Sequence, residues 1–260
     1  MTNPEFYSQV ALKFGGYTSN AQRTKIFRTV DPEALFGETV TALGGGTAHL
    51  LDVGCADGLN VLAVAPAYRQ VTAIDMAAEM LDAARANQLR AGPGPTEVSF
   101  QQRDAEHTGL PDAAFDVISS RRGPLFADEF WRLLKPGGSL VYLGIGERDV
   151  QDIKEVFGRG QQYGQWGTSI LETEQLRLEK QGFLTVRAED IWFDEYFHSR
   201  ADLCRFLEVV PIFEEFDAER DAGSLDRFIS RAQTERGIHF ARHWVLLTVR
   251  KPDRAAHAMP

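Results

Sequence analysis

Apolar residues along this chain follow two alternating rhythms. Five short runs, His49 to Val53, Val71 to Asp75, Glu97 to Gln101, Phe115 to Ser119 and Ser139 to Ile145, are rich in β-branched and large aliphatic residues. Glycine, proline or polar clusters bound them, which predicts strands. Stretches with helical spacing lie between. One runs from Asp31-Pro32 to Ala42 behind an Asp-Pro start signal; others cover about Gly58 to Ala65, Ala77 to Arg90 and Pro124 to Leu134. The joints fall at Gly44-Gly45-Gly46-Thr47, Ala91 to Pro95 and Lys135-Pro136-Gly137-Gly138. Strands alternating with helices make βαβ units, so the expected fold is α/β, a mostly parallel sheet with helices on both faces. Two late strands are expected, Phe183 to Ile191 and Trp244 to Arg250. Between them a helical insertion at about 198–242 carries Leu203, Phe206, Leu207 and Val210 at helical spacing.

Composition narrows the classes. The chain has 260 residues, 43% hydrophobic and 25% charged, which excludes a disordered or fibrous protein. The organisation expected is an N-terminal helical segment, 1–43, that can act as a lid, followed by one domain, 44–260. No apolar run approaches the ~20 residues of a membrane span, and the start lacks a secretory pattern. Two cysteines, Cys55 and Cys204, cannot form a disulfide framework, so a cytoplasmic location without a membrane partner is expected. The formal charge of −9 is spread evenly and weighs against a nucleic-acid partner. The histidines show no ligand pattern: His239 and His243 are four apart, but Gly237 and the following strand argue against a helix there, so no metal is expected. The pattern leaves the oligomeric state open.

The most informative stretch is Leu50-Leu51-Asp52-Val53-Gly54-Cys55-Ala56-Asp57-Gly58. A buried strand runs into a tight glycine turn and then a helix, and in open α/β sheets ligands bind beyond the carboxyl ends of the strands. A dinucleotide fingerprint would need glycine at 54, 56 and 59; Ala56 and Leu59 break it. Further motifs follow in order: Ile74-Asp75, Asp104-Ala105-Glu106, Phe115-Asp116 and Leu134-Lys135-Pro136-Gly137-Gly138. Together they resemble the class I S-adenosylmethionine (SAM)-dependent methyltransferases over residues 50–145, with looser similarity to about 190. The resemblance implies a Rossmann-like seven-stranded sheet with an antiparallel last strand, SAM as cofactor, and a small-molecule acceptor.

It also implies site roles. Asp75 would accept the ribose hydroxyls, Met76 would lie against adenine, and Asp104 and Ala105 would meet its amino group and ring. Asp52, Gly54, Cys55, Ala56, Asp57, Gly58 and Ser120 would complete the cofactor site. Two departures stand out. Ala56 replaces a glycine and is tolerable at negative φ. Asp57 stands where Ser or Thr is frequent; it can cap the helix and attract an amino group. The segment after Phe115-Asp116 is short and carries Arg121 and Arg122, an acceptor-binding wall or an internal ion-pair network.

On the acceptor side, Glu147, Asp149 and His198 are the candidate bases, chosen by position alone. Alignment of acceptor and methyl group can itself supply ~7–11 kcal/mol. Cys55 and Cys204 read as packing residues. Trp192, Phe193, Tyr196 and Phe197 either floor a pocket or bury the insertion, and burial is the expectation. Phe6, Tyr7, Phe14 and Tyr17 form a lid or cover the core, and Phe157 to Gly167 forms a mobile loop or a surface connection. The expected function is methyl transfer from SAM to a small polar organic acceptor. The alternatives are an RNA methyltransferase, kept open by Arg231, Arg236, Arg242, Arg250 and Arg254, and a catalytically silent SAM-binding scaffold.

Overall fold

The strand-forming runs join into one mixed sheet in a computed structural model, which describes residues 4–16, 19–213 and 215–253. Tyr17 and Arg254 lie outside the described residues. In chain order the elements are α1 (Pro4–Phe14), β1 (Arg23–Phe27), α2 (Pro32–Gly44), β2 (His49–Val53), α3 (Leu59–Val64), β3 (Gln70–Asp75), α4 (Ala78–Ala91), β4 (Glu97–Gln102) and β5 (Phe115–Arg121). They continue with α5 (Ala127–Leu133), β6 (Leu134–Ile145), α6 (Gln151–Phe157), α7 (Ile170–Gln181), β7 (Leu184–Phe197), α8 (Arg200–Val209), α9 (Ala222–Ala232), β8 (Gln233–Thr234) and β9 (Gly237–Arg250).

The sheet order is β1-β7-β9-β6-β5-β2-β3-β4, with β8 paired to β9. From β4 to β6 every pairing is parallel. β9 enters antiparallel between β6 and β7, so the seven-stranded Rossmann-like sheet is present with its last strand reversed. Two additions escape the apolar pattern: β1 closes the edge antiparallel to β7, and the two-residue β8 flanks β9.

Three local differences have physical causes. The helical insertion ends at Ala232 rather than 242, because residues 237–243 join β9 and satisfy their backbone groups against β7. β7 likewise runs on to Phe197, so Trp192, Phe193, Tyr196 and Phe197 are strand residues. Lys135-Pro136-Gly137-Gly138 is taken up at the start of β6 as an irregularity against β5, with Phe115 opposite Leu134 and Val117 opposite Ser139.

Helix starts follow sequence signals. Asp31 Oδ1 accepts from Glu33 N at 2.9 Å ahead of Pro32, and Ser169 Oγ accepts from Glu172 N at 3.1 Å. Core residues divide by strand parity. Leu50, Val117, Val141 and Leu246 pack under α2 and α3, with Leu35, Val40 and Val61. Leu51, Ile118, Leu140 and Val245 pack under α5 and α7, with Phe130, Leu171 and Leu178. The insertion has its own core, in which Leu203, Phe206, Leu207 and Phe228 meet Phe197 and Phe240 of the sheet, while Cys204 is buried there as packing. Each fully buried aliphatic or aromatic side chain contributes ~1.5–3 kcal/mol relative to exposure, so the insertion is anchored firmly to the edge it overhangs.

Candidate active site

The site lies at the carboxyl ends of β2, β3 and β5. Gly54 and Cys55 both donate from backbone N–H to Ile74 O, at 2.9 and 3.0 Å, which pins the turn after β2 to the end of β3. Gly54 takes φ +73, where a side chain would strain the backbone. Gly58 is constrained twice: φ is +75, and a Cβ there would lie 2.9 Å from both Ala84 Cβ and Phe100 Cζ. Ala56 corrects the sequence reading, since its φ is +48 rather than negative. That conformation costs an L-residue ~1–2 kcal/mol. Asp75 holds it in place: Oδ2 accepts from Ala56 N and Oδ1 from Ala77 N, each at 2.9 Å. Burial still raises the Asp75 carboxyl above its ordinary value, partly offset by these backbone hydrogen bonds.

Of the residues assigned to the cofactor, Gly54, Ala56, Asp75, Met76, Asp104 and Ala105 line one cavity. Asp104 Oδ1 is engaged by Glu106 N at 2.9 Å. The other five residues assigned to the cofactor lie elsewhere. Asp52 sits beneath the turn, where its Oδ1 accepts from Ser119 Oγ at 2.6 Å, and burial pushes its carboxyl up to about 6 against the pull of Ser119 and Arg121. Cys55 is buried, and burial followed by Asp52 raises its thiol well above normal, so it packs rather than reacts. Gly58 faces α4, and buried Ser120 donates to Pro124 O at 2.8 Å. Asp57 lines a second cavity.

That second cavity, of about 380 Å³, adjoins the first, and Arg121 and Arg122 line both. It is rich in charge. Glu33 on α2 is 2.9 Å from Lys25 Nζ, 2.8 Å from Arg121 Nη1 and 3.6 Å from Arg122 Nη2. Burial alone would raise the Glu33 carboxyl, but Arg122, Lys25 and Arg121 together hold it down at about 2. Glu195 on β7 takes Arg23 at 2.9 Å and Arg242 from the next strand. Arg242 also reaches Asp149 Oδ1 at 2.8 Å. Trp244 lies beside them, with the Arg122 guanidinium 5.1 Å from its ring centroid.

The three candidate bases do not face either cavity. Glu147 accepts from Ile170 N at 3.2 Å, 3.9 Å from His243 Nδ1. Asp149 is buried behind Arg242 and accepts from His243 N at 3.0 Å. His198 is exposed, with Nε2 2.9 Å from Thr24 Oγ1. Their positions after β6 and β7 suggested the cleft, but the long β7–β9 pair carries them past it. His239 and His243 sit on β9 against Asp194 and Asp190, each at 2.7 Å. Among the described residues no group of three or more His, Cys, Asp or Glu side chains is placed to hold a metal.

Several lining residues were not anticipated. Phe126 and Met80 line the first cavity together with Tyr7 of α1, one of the lid candidates. Arg23, Lys25, Glu33, Glu195, Arg242 and Trp244 line the second. A signal existed for some: Arg23, Lys25 and Phe27 alternate with period two, as do Phe193, Glu195 and Phe197. Among the aromatics, Phe193 and Phe197 are buried and Trp192 stacks on His243 with centroids 4.0 Å apart. Phe157 stacks on Phe213 at 4.3 Å, which ties the Gly-rich segment that follows α6 to the insertion.

Comparison with known proteins agrees with this geometry. Residues 50–138 match the family model described as a methyltransferase domain. The malonyl-[acyl-carrier protein] O-methyltransferase of Serratia marcescens is 29% identical over 126 residues, 44% of this chain and 47% of that protein. The 27-O-demethylrifamycin SV methyltransferase of Amycolatopsis mediterranei is 28% identical over 227 residues, 79% and 78% of the two chains. Among solved structures, a functionally unknown protein from Deinococcus radiodurans R1 superposes with a TM-score of 0.61 at 22% identity, covering 95% of this chain and 99% of that one. The chain spans about half the length of the first curated relatives it matches. The likeness to methyltransferase domains is thus carried by residues 50–138 of this chain. The cofactor of that family is S-adenosylmethionine. Among the described residues no helix is long and apolar enough to cross a membrane.

Proposed function

We propose that this chain transfers the methyl group of SAM to a small polar organic acceptor. The observation that carries the reading is the pair of adjoining cavities. One is built on the glycine turn and Asp75, the other is walled by charge, and Arg121 and Arg122 stand between them.

The first cavity suits SAM. The Asp75 carboxylate has two oxygens and about four lone-pair sites; Ala56 and Ala77 occupy two, which leaves acceptors for ribose hydroxyls. Asp104 and the backbone at Ala105 line the same cavity and would meet the adenine edge, with Ile74, Met76 and Phe126 offering apolar faces. Tyr7 on α1 covers the same space, held down by Ser8 Oγ donating to Glu79 Oε2 at 2.6 Å. Bound SAM supplies an electrophilic methyl group on a sulfonium. The chain's own part is to hold an acceptor in line with it and to exclude water. Alignment is then the main contribution, since the sequence-chosen bases point elsewhere.

The relatives' names agree with a small or carrier-linked acceptor. Of the arginines that favoured RNA, Arg242 is buried on Asp149 and Glu195, and Arg250 reaches Asp253 at 3.1 Å. The test is calorimetry with SAM, S-adenosylhomocysteine and NAD, followed by label transfer from SAM into a small-molecule extract and into RNA. Binding of SAM but not NAD, with label in small molecules, is expected. NAD heat without SAM heat overturns the cofactor reading, label in RNA alone overturns the acceptor reading, and label in neither favours the silent scaffold.

A further inference from the structure

Resting on the methyltransferase reading, we propose that the acceptor is a small carboxylic acid, bound as its anion in the cavity beside Arg122 and methylated on a carboxylate oxygen to give a methyl ester.

Two independent features of the cavity lead there. The first is charge. Arg23, Lys25, Arg121, Arg122 and Arg242 line it against Glu33, Asp57 and Glu195. Counting Asp149 behind Arg242, five cations stand against four carboxylates among the described residues, an excess of one positive charge there in a protein whose overall charge is −9. A single anionic group neutralises that excess, and an arginine fork matches a carboxylate in geometry. Arg122 is built for the contact. It sits just past β5 at φ +56, its N–H donates to Leu143 O at 2.6 Å, and its guanidinium lies near both Glu33 and Trp244 at the junction of the two cavities. A left-handed arginine is uncommon, and this one stands where the two cavities meet.

The second feature is the state of the possible bases. Among the described residues no histidine lines the cavity. Glu33 is shared by three cations and Glu195 by two. Asp57 is buried, with Oδ1 turned to Leu59 N, the first residue of α3, at 3.4 Å. A hydroxyl or carbon acceptor needs its proton removed, whereas a carboxylate is already ionised at neutral pH. In the transfer a lone pair on the carboxylate oxygen forms the O–CH₃ bond. The S–CH₃ bond breaks, its electron pair stays on sulfur, and the sulfonium becomes a neutral thioether. No proton is taken up or released.

The test uses the full chain and a panel of acetate, butyrate, octanoate, benzoate and succinate, each beside its matching alcohol and primary amide. In the presence of S-adenosylhomocysteine, at least one acid is expected to raise the melting temperature while its alcohol and amide do not. Methyl-labelled SAM is expected to label that acid, and mild alkali to release the label as volatile methanol. Arg122→Asn tolerates the left-handed backbone and removes the charge. It should raise KM for the acid at least about tenfold, the order expected for one charge-assisted hydrogen bond, and by a larger factor than it raises Kd for SAM, whose cavity Arg122 also borders. Alkali-stable label, equal shifts by alcohols, an unchanged KM in Arg122→Asn, or no acid that binds or reacts overturns the inference. The methyltransferase reading itself is overturned separately, by a parent protein that binds no SAM or that transfers label to neither small molecules nor RNA.

Discussion

Replacing Asp52 by asparagine should make the protein more stable at neutral pH and leave it nearly unchanged in acid. Asp52 lies under the cofactor turn with Ser119 Oγ as its donor, and burial pushes its carboxyl up to about 6 from an ordinary 3.8. An acid whose folded value is raised gives the native state its full benefit below the unfolded value, where both states are protonated. As pH climbs from about 4 to about 6, the unfolded chain releases its proton freely while the native side chain must ionise under cover, so stability falls. A shift of about two units corresponds to roughly 3 kcal/mol. Asp52 is only half-buried, so solvent relieves part of this, and roughly 1–3 kcal/mol is expected. The amide oxygen of the replacement would still accept from Ser119, and the side chain would carry no charge. Urea denaturation of both proteins from about pH 4 to about pH 7.5 measures the difference. It should start near zero and grow with pH. Glu33 and Glu129, each held at about 2, weaken the fold as pH falls toward that value, but equally in both proteins, so they cancel. A difference that is flat with pH, or that shrinks as pH rises, refutes the reasoning.

Ala56→Gly should raise the thermal midpoint, because relief of the left-handed alanine (~1–2 kcal/mol) exceeds the entropy cost of glycine (~0.5–1 kcal/mol); a lower midpoint would place Ala56 outside that conformation. Asp75→Ala should lose ~1.5–3 kcal/mol in folding as well as weaken SAM binding, since the carboxylate holds Ala56 and Ala77; calorimetry beside urea melts separates the two, and unchanged stability contradicts the holding role. Gly58→Ala should cost ~1–3 kcal/mol by pressing on Ala84 and Phe100, checked by urea melts, with a neutral result refuting the contact. Arg242→Ala should cost ~3–5 kcal/mol because it leaves Asp149 and Glu195 buried without that partner; a mild effect in thermal denaturation would refute the pairing.

The central parallel strands β2, β3, β5 and β6 were legible because they are largely buried and read as mostly apolar runs, whereas edge strand β4 is half-polar and buries only Phe100. The glycine turn was legible because Gly54 and Gly58 mark backbone positions that other residues resist. The acceptor side was not. β1 has a half-polar pattern because Arg23 and Lys25 are buried only in part, through ion pairs with residues 172 and 8 positions away, and no local periodicity announces such partners. Arg242 looked like part of a basic surface and is instead nearly inaccessible, a fact set by Asp149 and Glu195 on other elements. Glu147, Asp149 and His198 were chosen by counting from strand ends. That method fails for His198 because β7 overruns its expected end by six residues, and for Glu147 and Asp149 because the segment after β6 is held to the seven residues that β9 gains, Gly146 N donating to His243 O and Val150 N to Ala241 O.

That overrun affects how this protein can change over evolutionary time. Beyond the Ile145–Trp244 pair, β9 leaves β6 and continues with β7 as a ribbon. Phe193, Glu195 and Phe197 of β7 share a face with Arg242, Phe240 and Ile238 of β9, while Asp194 and Tyr196 share the opposite face with Ala241 and His239. The wall of the second cavity, the proposed acceptor site, is therefore written on alternate letters. Single substitutions at 195, 242 or 244 edit it one letter at a time. An insertion or deletion of one residue in either strand would exchange the whole inner row for the outer one, replacing Arg242 with Ala241 or His243 and Glu195 with Asp194 or Tyr196. Drift toward a new acceptor is thus open by point mutation and closed by frame-preserving single-codon gains or losses, the reverse of what holds for a site built on loops.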